Sequence, residues 1–87
     1  MTDSAIAARM LNALEAAADR EAGQKTALVS VTIDMLKRAD AGSVSVSVTR
    51  KTKSLVFMGA EFRTDAGELI ATANSVHKFA SCAVLPA

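Results

Sequence analysis

The chain has 87 residues, which is enough for one small domain with a limited hydrophobic core. Ten basic and nine acidic residues give a net charge of +1, so nucleic acids and anionic membranes are not expected as partners. No apolar run approaches the roughly 18 residues needed to span a membrane, and the N-terminus does not resemble a signal peptide. A single cysteine excludes an intramolecular disulfide and fits a reducing compartment. These features together predict a soluble cytoplasmic protein.

One amphipathic helix is predicted near the N-terminus, over about residues 4–20, after hydroxyl and carboxyl side chains that suit an N-cap. The apolar residues of one helix face recur at steps of three and four; they are Ile6, Met10, Leu14 and Ala17. On the polar side, Asn12, Glu15 and Asp19 fall together. Gly23 is a suitable residue to end the helix.

Beyond Gly23 the hydrophobic pattern changes to a period of two, which is typical of strands. Four strands are predicted, over about residues 26–36, 43–50, 54–63 and 68–79. Because the turns between them are short, neighbouring strands must be antiparallel. The tail, residues 80–87, is expected to be irregular. The prediction is therefore an α+β fold in a single domain, residues 1–87, with one helix on one face of a four-stranded antiparallel sheet.

The order of these segments resembles the hotdog-fold acyl-CoA thioesterases of the phenylacetate-degradation and hydroxybenzoyl-CoA type. Residues 30–42, SVTIDMLKRADAG, are similar to the family's strand that ends in a DFLRPA-xx-G segment. Residues 43–79 are similar to its last three strands, with DAGELIATA in the place of a D-x-G-x-L-V-A-x-A turn and strand. The helix stands where the family has its central helix. The resemblance implies a hotdog-like fold, a sheet wrapped around a central helix, here without the usual first strand.

The same resemblance implies that the chain binds an acyl-CoA thioester at a homodimer interface and hydrolyses it. In that family a backbone N–H near the helix start polarises the thioester carbonyl, and a carboxylate from the helix of the partner subunit serves as general base or nucleophile. Asn12 falls where that carboxylate is usual, but an Asn side chain cannot take a proton at neutral pH. Glu15, one turn along the same face, is the nearest carboxylate that could replace it. The family's His-Gly-Gly segment before the helix is absent.

Three hypotheses therefore stay open at this point. In the first, the protein is a thioesterase in which Asn12 and Glu15 place and activate a water molecule. In the second, it is a non-catalytic hotdog relic that acts as a dimeric binding or structural module. In the third, it is an unrelated interaction domain with a helix on a sheet.

Seven further side chains are candidates for holding the substrate. Ser30 and Thr32, in the first predicted strand, could hydrogen-bond the substrate, or they could simply form the outward half of an alternating strand. Basic side chains at turns could bind the phosphates of coenzyme A, as the resemblance implies, or they could be ordinary solvated residues. These basic residues are Lys37, Arg38, Arg50, Lys51 and Lys53.

Other kinds of site find no support in the sequence. No cluster of His and Cys residues suggests a metal, so coenzyme A is expected only as part of the substrate and no other cofactor is expected. His77 has no Ser, Cys or Asp partner at a recognised catalytic spacing, and we expect it at the surface or at a sheet edge. A homodimer or higher oligomer is expected, because the small core leaves strand edges that need cover.

Overall fold

The computed structural model describes residues 2–79 and contains one helix followed by four strands. Their bounds are α1 Asp3–Ala22, β1 Thr26–Met35, β2 Ser43–Lys51, β3 Leu55–Arg63 and β4 Leu69–Phe79. The elements occur in the predicted order, and each begins and ends within about two residues of the predicted bound. The tail predicted to be irregular, residues 80–87, lies outside the described residues.

Both ends of α1 are fixed by local hydrogen bonds. The Thr2 hydroxyl caps the first turn by accepting a hydrogen bond from the main-chain N–H of Ala5 at 3.1 Å. Gly23 ends the helix in the left-handed conformation, with φ 68°, and its N–H donates to the carbonyl of Arg20 at 3.3 Å. Only three residues then separate α1 from β1, so the helix and this strand run in opposite directions.

The four strands form one antiparallel sheet in the order β1-β4-β3-β2. β3 and β4 are the inner strands, and β1 and β2 are the two edges. Each edge strand has one β-bulge, at Val29 in β1 and at Thr49 in β2, where the register with the inner neighbour shifts. The sheet is not closed, so both edge strands have an outer side that pairs with no described strand.

The connection from β1 to β2 crosses from one edge of the sheet to the other, beside the start of α1. The main-chain N–H groups of Leu36 and Lys37 both donate to the carbonyl of Ile70, at 2.9 and 3.1 Å. Gly42 lies so close to β3 that an added Cβ would be 2.6 Å from Cε1 of Phe62. The guanidinium of Arg9 lies 5.7 Å from the centre of the Phe62 ring, which ties α1 to this end of the sheet.

The core lies between one side of α1 and one face of the sheet. The buried side of the helix consists of Ile6, Met10, Leu14, Ala17 and Ala18. On the sheet, alternate residues of the inner strands face this side; among them are Val56, Met58, Phe62, Ala71 and Ala73. The edge strands contribute half-buried residues, which include Val31, Ile33, Val44 and Val46. The opposite, outer face of the sheet is mixed: it is polar around Ser45, Thr72 and Asn74, and it carries Leu55, Phe57 and Val76 towards the β2–β3 hairpin.

Candidate functional site

The two candidate catalytic residues lie next to each other on the exposed side of α1. Asn12 and Glu15 are both exposed, and residues three apart on a helix have Cβ atoms about 5–6 Å from each other. Asn12 lies nine residues into the helix, about 13 Å along its axis from Asp3. The pair is therefore far from the free N–H groups of the first turn and depends on other groups to polarise a carbonyl.

Asp19, the third residue of the polar side, is engaged in holding the fold together. Its Oδ1 atom accepts hydrogen bonds from the main-chain N–H of Thr26 at 2.8 Å and from the Thr26 hydroxyl at 2.7 Å. These bonds favour the ionised carboxylate, the hydroxyl bond most and the N–H bond next, so the pKa of Asp19 lies below its usual value. Asp19 thus joins α1 to β1 and is not available to assist Glu15.

Ser30 and Thr32 lie on the outer face of the sheet. They pair with Val76 and Asn74 of β4, while Val31 between them packs towards the core. Within one chain they are therefore on the opposite face from α1, and the structure does not bring them together with Asn12 and Glu15. They belong to the set of alternating residues in β1 that face away from the helix.

The five basic candidates form two clusters at opposite ends of the sheet. Lys37 and Arg38 follow the end of β1, whereas Arg50, Lys51 and Lys53 lie at the β2–β3 hairpin. The two clusters are separated by roughly the length of a strand, and the nine residues of β3 span about 30 Å. One chain therefore does not bring all five cations to a single group of phosphates.

Two of these lysines have acidic partners. Lys37 Nζ lies 2.6 Å from Oε2 of Glu68, and Lys51 Nζ lies 3.8 Å from Oε1 of Glu21 and donates to the Glu21 carbonyl at 3.0 Å. The side chains of Arg38 and Arg50 are exposed and form no hydrogen bond or ion pair with another residue of the described range 2–79. The two arginines are thus the basic candidates best placed to bind an external anion.

His77 lies in the core of the protein. The expected surface or edge position is wrong, because only 1% of this residue is exposed. Its Nε2 atom lies 2.7 Å from Oγ of Ser75, which is also buried. The alternation of Ala71, Ala73, Ser75 and His77 along β4 is the sequence signal that assigns these residues to the core face.

The described residues contain neither a metal-binding cluster nor a membrane-spanning helix. Among residues 2–79, no three His, Cys, Asp or Glu side chains lie close enough together to hold a metal ion. The helix that the structure describes is not long and apolar enough to cross a membrane.

The fold is shared with solved structures of low sequence identity. The protein BH2602 from Bacillus halodurans, determined with CoA, matches with a TM-score of 0.81 at 17% identity, over 90% of this chain and 54% of that one. A protein described as belonging to the thioesterase superfamily matches with a TM-score of 0.78 at 16% identity, over 91% of this chain and 61% of that one. The chain adopts the hotdog fold. This confirms the predicted α+β architecture of one helix and a four-stranded antiparallel sheet.

A third protein, from Chromobacterium violaceum, matches with a TM-score of 0.69 at 17% identity, over 80% of this chain and 55% of that one. The chain therefore spans only a little over half the length of these structures. No protein-family model matches the sequence, and no curated protein is significantly similar to it. At 16–17% identity, the structural matches show the fold alone.

Proposed function

We propose that this hotdog domain binds CoA thioesters at a site formed between two copies of the chain. The observation that supports this most directly is the common fold with BH2602, whose structure was determined with CoA. The similarity to a protein of the thioesterase superfamily points to the same class of ligand. Both relationships are distant, at 16–17% identity, so the proposed site rests on the side chains of this chain.

The unpaired edge of β1 is the surface best suited to contact a second copy of the chain. Of the four exposed large hydrophobic residues in the described chain, Leu28 and Val29 lie in β1 and Leu36 directly follows it. The backbone N–H and C=O groups along this edge can pair with another strand. Antiparallel pairing of β1 with β1 of a second copy around a two-fold axis would cover both the apolar side chains and the backbone groups.

Such a dimer would bring the basic cluster after β1 of one copy to the same end of the sheet as the basic hairpin cluster of the other copy. Because the second β1 runs in the opposite direction, its terminal Arg38 would lie beside the start of the first β1. That start is also the end at which α1 of the first copy finishes and at which Arg50 lies in the β2–β3 hairpin. Cations from both copies would then surround one region, as the several negative charges of CoA phosphates require.

The thioester itself would be held near Asn12 and Glu15 on α1. Glu15 would act as general base towards a water molecule, and the Asn12 amide would orient that water or hydrogen-bond the carbonyl. The exposure of both side chains leaves them accessible to substrate. Hydrolysis of a thioester by this route requires no metal and no further cofactor.

The start of α1 favours the second candidate function, a CoA-binding module without turnover. The Thr2 hydroxyl already accepts the hydrogen bond of the Ala5 N–H, and Asp3 places a negative charge in the first turn. Both features make the helix N-terminus a poor site for the oxyanion that forms when a thioester is attacked.

Two measurements on the same sample test the proposal. Titration calorimetry with CoA and with acetyl-, palmitoyl- and benzoyl-CoA measures binding, and release of free thiol from the three thioesters measures hydrolysis. We expect binding of at least one of them, with thiol release if Glu15 functions as a base. Binding without thiol release would select the non-catalytic module, and the absence of binding to all four would refute the proposal.

A further inference from the structure

His77 and Ser75 form a buried polar pair at the interface between α1 and the sheet. In the sheet His77 pairs with Leu28 of β1 on one side and with Val56 of β3 on the other, and its side chain faces α1. The 2.7 Å hydrogen bond to the Ser75 hydroxyl is the one hydrogen bond that the structure records for the imidazole ring. Since Ser75 is also uncharged, this bond does little to stabilise an imidazolium ion.

Within residues 2–79, the charged groups that act on His77 both belong to α1. Glu15 and Asp19 of α1 interact with the ring electrostatically and favour its protonated form. The paired residues of β1 and β3 are Leu28 and Val56, which are apolar. Burial nevertheless has the larger effect, and the pKa of His77 lies below the usual value of 6.5.

Neither carboxylate is well placed to neutralise a buried imidazolium. The Oδ1 atom of Asp19 is already hydrogen-bonded to the main-chain N–H and the hydroxyl of Thr26, and Glu15 is exposed to water. A protonated ring would therefore remain largely uncompensated inside the core, which is strongly unfavourable.

We propose that His77 makes the docking of α1 on the sheet sensitive to pH, so that protonation of its ring weakens the helix–sheet interface. Because α1 also contains Asn12 and Glu15, weakening this interface would weaken binding at the proposed CoA site. That regulatory consequence rests on the proposed function, whereas the pH sensitivity of the interface does not.

The direction of the effect follows from proton linkage. The unfolded chain takes up a proton at pH 6.5, while the folded chain takes it up only at a lower pH, so acid favours the unfolded chain. The contribution of His77 to stability is complete above pH 6.5 and is lost as the pH falls towards its folded-state pKa. Within this window the folding equilibrium constant changes by up to about tenfold per pH unit.

The test uses the fact that the chain has one histidine, so that a single imidazole resonance reports on it. An NMR titration gives the folded-state pKa, and urea unfolding at pH 7.5 and 5.0 gives the stability of wild type and His77→Gln. We expect a pKa below 6.5. Between pH 7.5 and pH 5.0, we also expect the folding equilibrium constant of the wild type to fall about threefold or more relative to that of the variant.

Glu21→Gln serves as the matched control, because Glu21 is an exposed carboxylate of the same helix that is not among the groups acting on His77, and its loss should leave the difference between pH 7.5 and 5.0 unchanged. A His77 pKa of 6.5 or higher would overturn the inference, as would equal pH dependence in wild type and His77→Gln. If the variant does not fold, the NMR titration of the wild type decides alone.

A separate measurement, CoA binding at both pH values, tests the regulatory consequence. We expect the wild type to bind CoA more weakly at pH 5.0 than at pH 7.5, and we expect no such change in His77→Gln. Absence of binding at pH 7.5 would refute the proposed function and leave the unfolding result standing. Equal binding at both pH values would overturn the regulatory consequence.

Discussion

The carboxylate of Asp19 accepts two hydrogen bonds from one residue, Thr26, through its main-chain N–H at 2.8 Å and its hydroxyl at 2.7 Å. The pair joins the last turns of α1 to the first residue of β1. Asp19→Ala would leave the Thr26 N–H without this acceptor, so we expect a loss of about 1–3 kcal/mol in the free energy of unfolding. Urea unfolding at pH 7 measures this loss. Glu21→Ala is the control, since its ion pair with Lys51 is exposed; an equal loss in both variants would contradict the assignment.

The same pair predicts a component of acid denaturation. The folded-state pKa of Asp19 is lowered from 3.8, so the ionised form contributes stability above pH 3.8 that is lost as the pH falls below this value. We expect wild type to lose more stability than Asp19→Asn between pH 4.5 and 2.5. Urea midpoints measured across this range give the comparison, and parallel curves for the two proteins would show that the pKa of Asp19 is not lowered on folding.

Substitution by alanine should destabilise the protein at Gly42 but not at Gly59. A Cβ on Gly42 would clash with the carbonyl oxygen of Arg63 and lie 2.6 Å from Cε1 of Phe62. A Cβ on Gly59 meets its nearest atom, Oγ1 of Thr49, at 3.4 Å. We expect Gly42→Ala to cost about 1–3 kcal/mol of unfolding free energy, because β3 or the crossover must shift. Gly59→Ala should be close to neutral or slightly stabilising. Thermal unfolding of both variants provides the measurement, and an equally tolerated Gly42→Ala would refute the close approach.

The elements of this fold could be predicted from the sequence because each has a local signature. The four-residue spacing of Ile6, Met10 and Leu14 specifies α1, and the strict alternation of Ser and Val specifies β2. The same alternation placed Ser30 and Thr32 on one face, although it could not identify which face lay away from the helix. Local pattern therefore gave the order and class of the elements.

Relationships that depend on packing could not be predicted. The alternation along β4 includes His77, yet nothing in the local sequence shows that Leu28 and Val56 enclose it. The engagement of Asp19 by Thr26 likewise depends on the tight connection after Gly23. The basic residues looked like one set in the sequence, but the direction of β1 and β2 separates them to opposite ends of the sheet.

If the protein hydrolyses thioesters, removal of the Glu15 carboxylate should abolish the reaction. We expect Glu15→Gln to reduce kcat by about 10²–10⁴-fold with little change in stability, because a general base contributes that much and the side chain is exposed. Glu21→Gln is the matched control on the same helix and should retain the wild-type rate. Thiol release at saturating substrate gives kcat, and an unchanged rate in Glu15→Gln would remove this residue from the mechanism.

The proposed dimer predicts that one edge of the sheet is sensitive to charge and the other is not. Val29, in the β1 bulge, is 57% exposed, and Val48, beside the β2 bulge, is 40% exposed. An aspartate at position 29 would place an unpaired charge in an apolar interface between two copies of β1. We therefore expect Val29→Asp to raise the dimer dissociation constant at least about tenfold, while Val48→Asp leaves it unchanged. Sedimentation equilibrium of both variants measures this constant. Dissociation of the Val48→Asp protein alone would place the interface at β2, and a monomeric wild type would exclude a shared site.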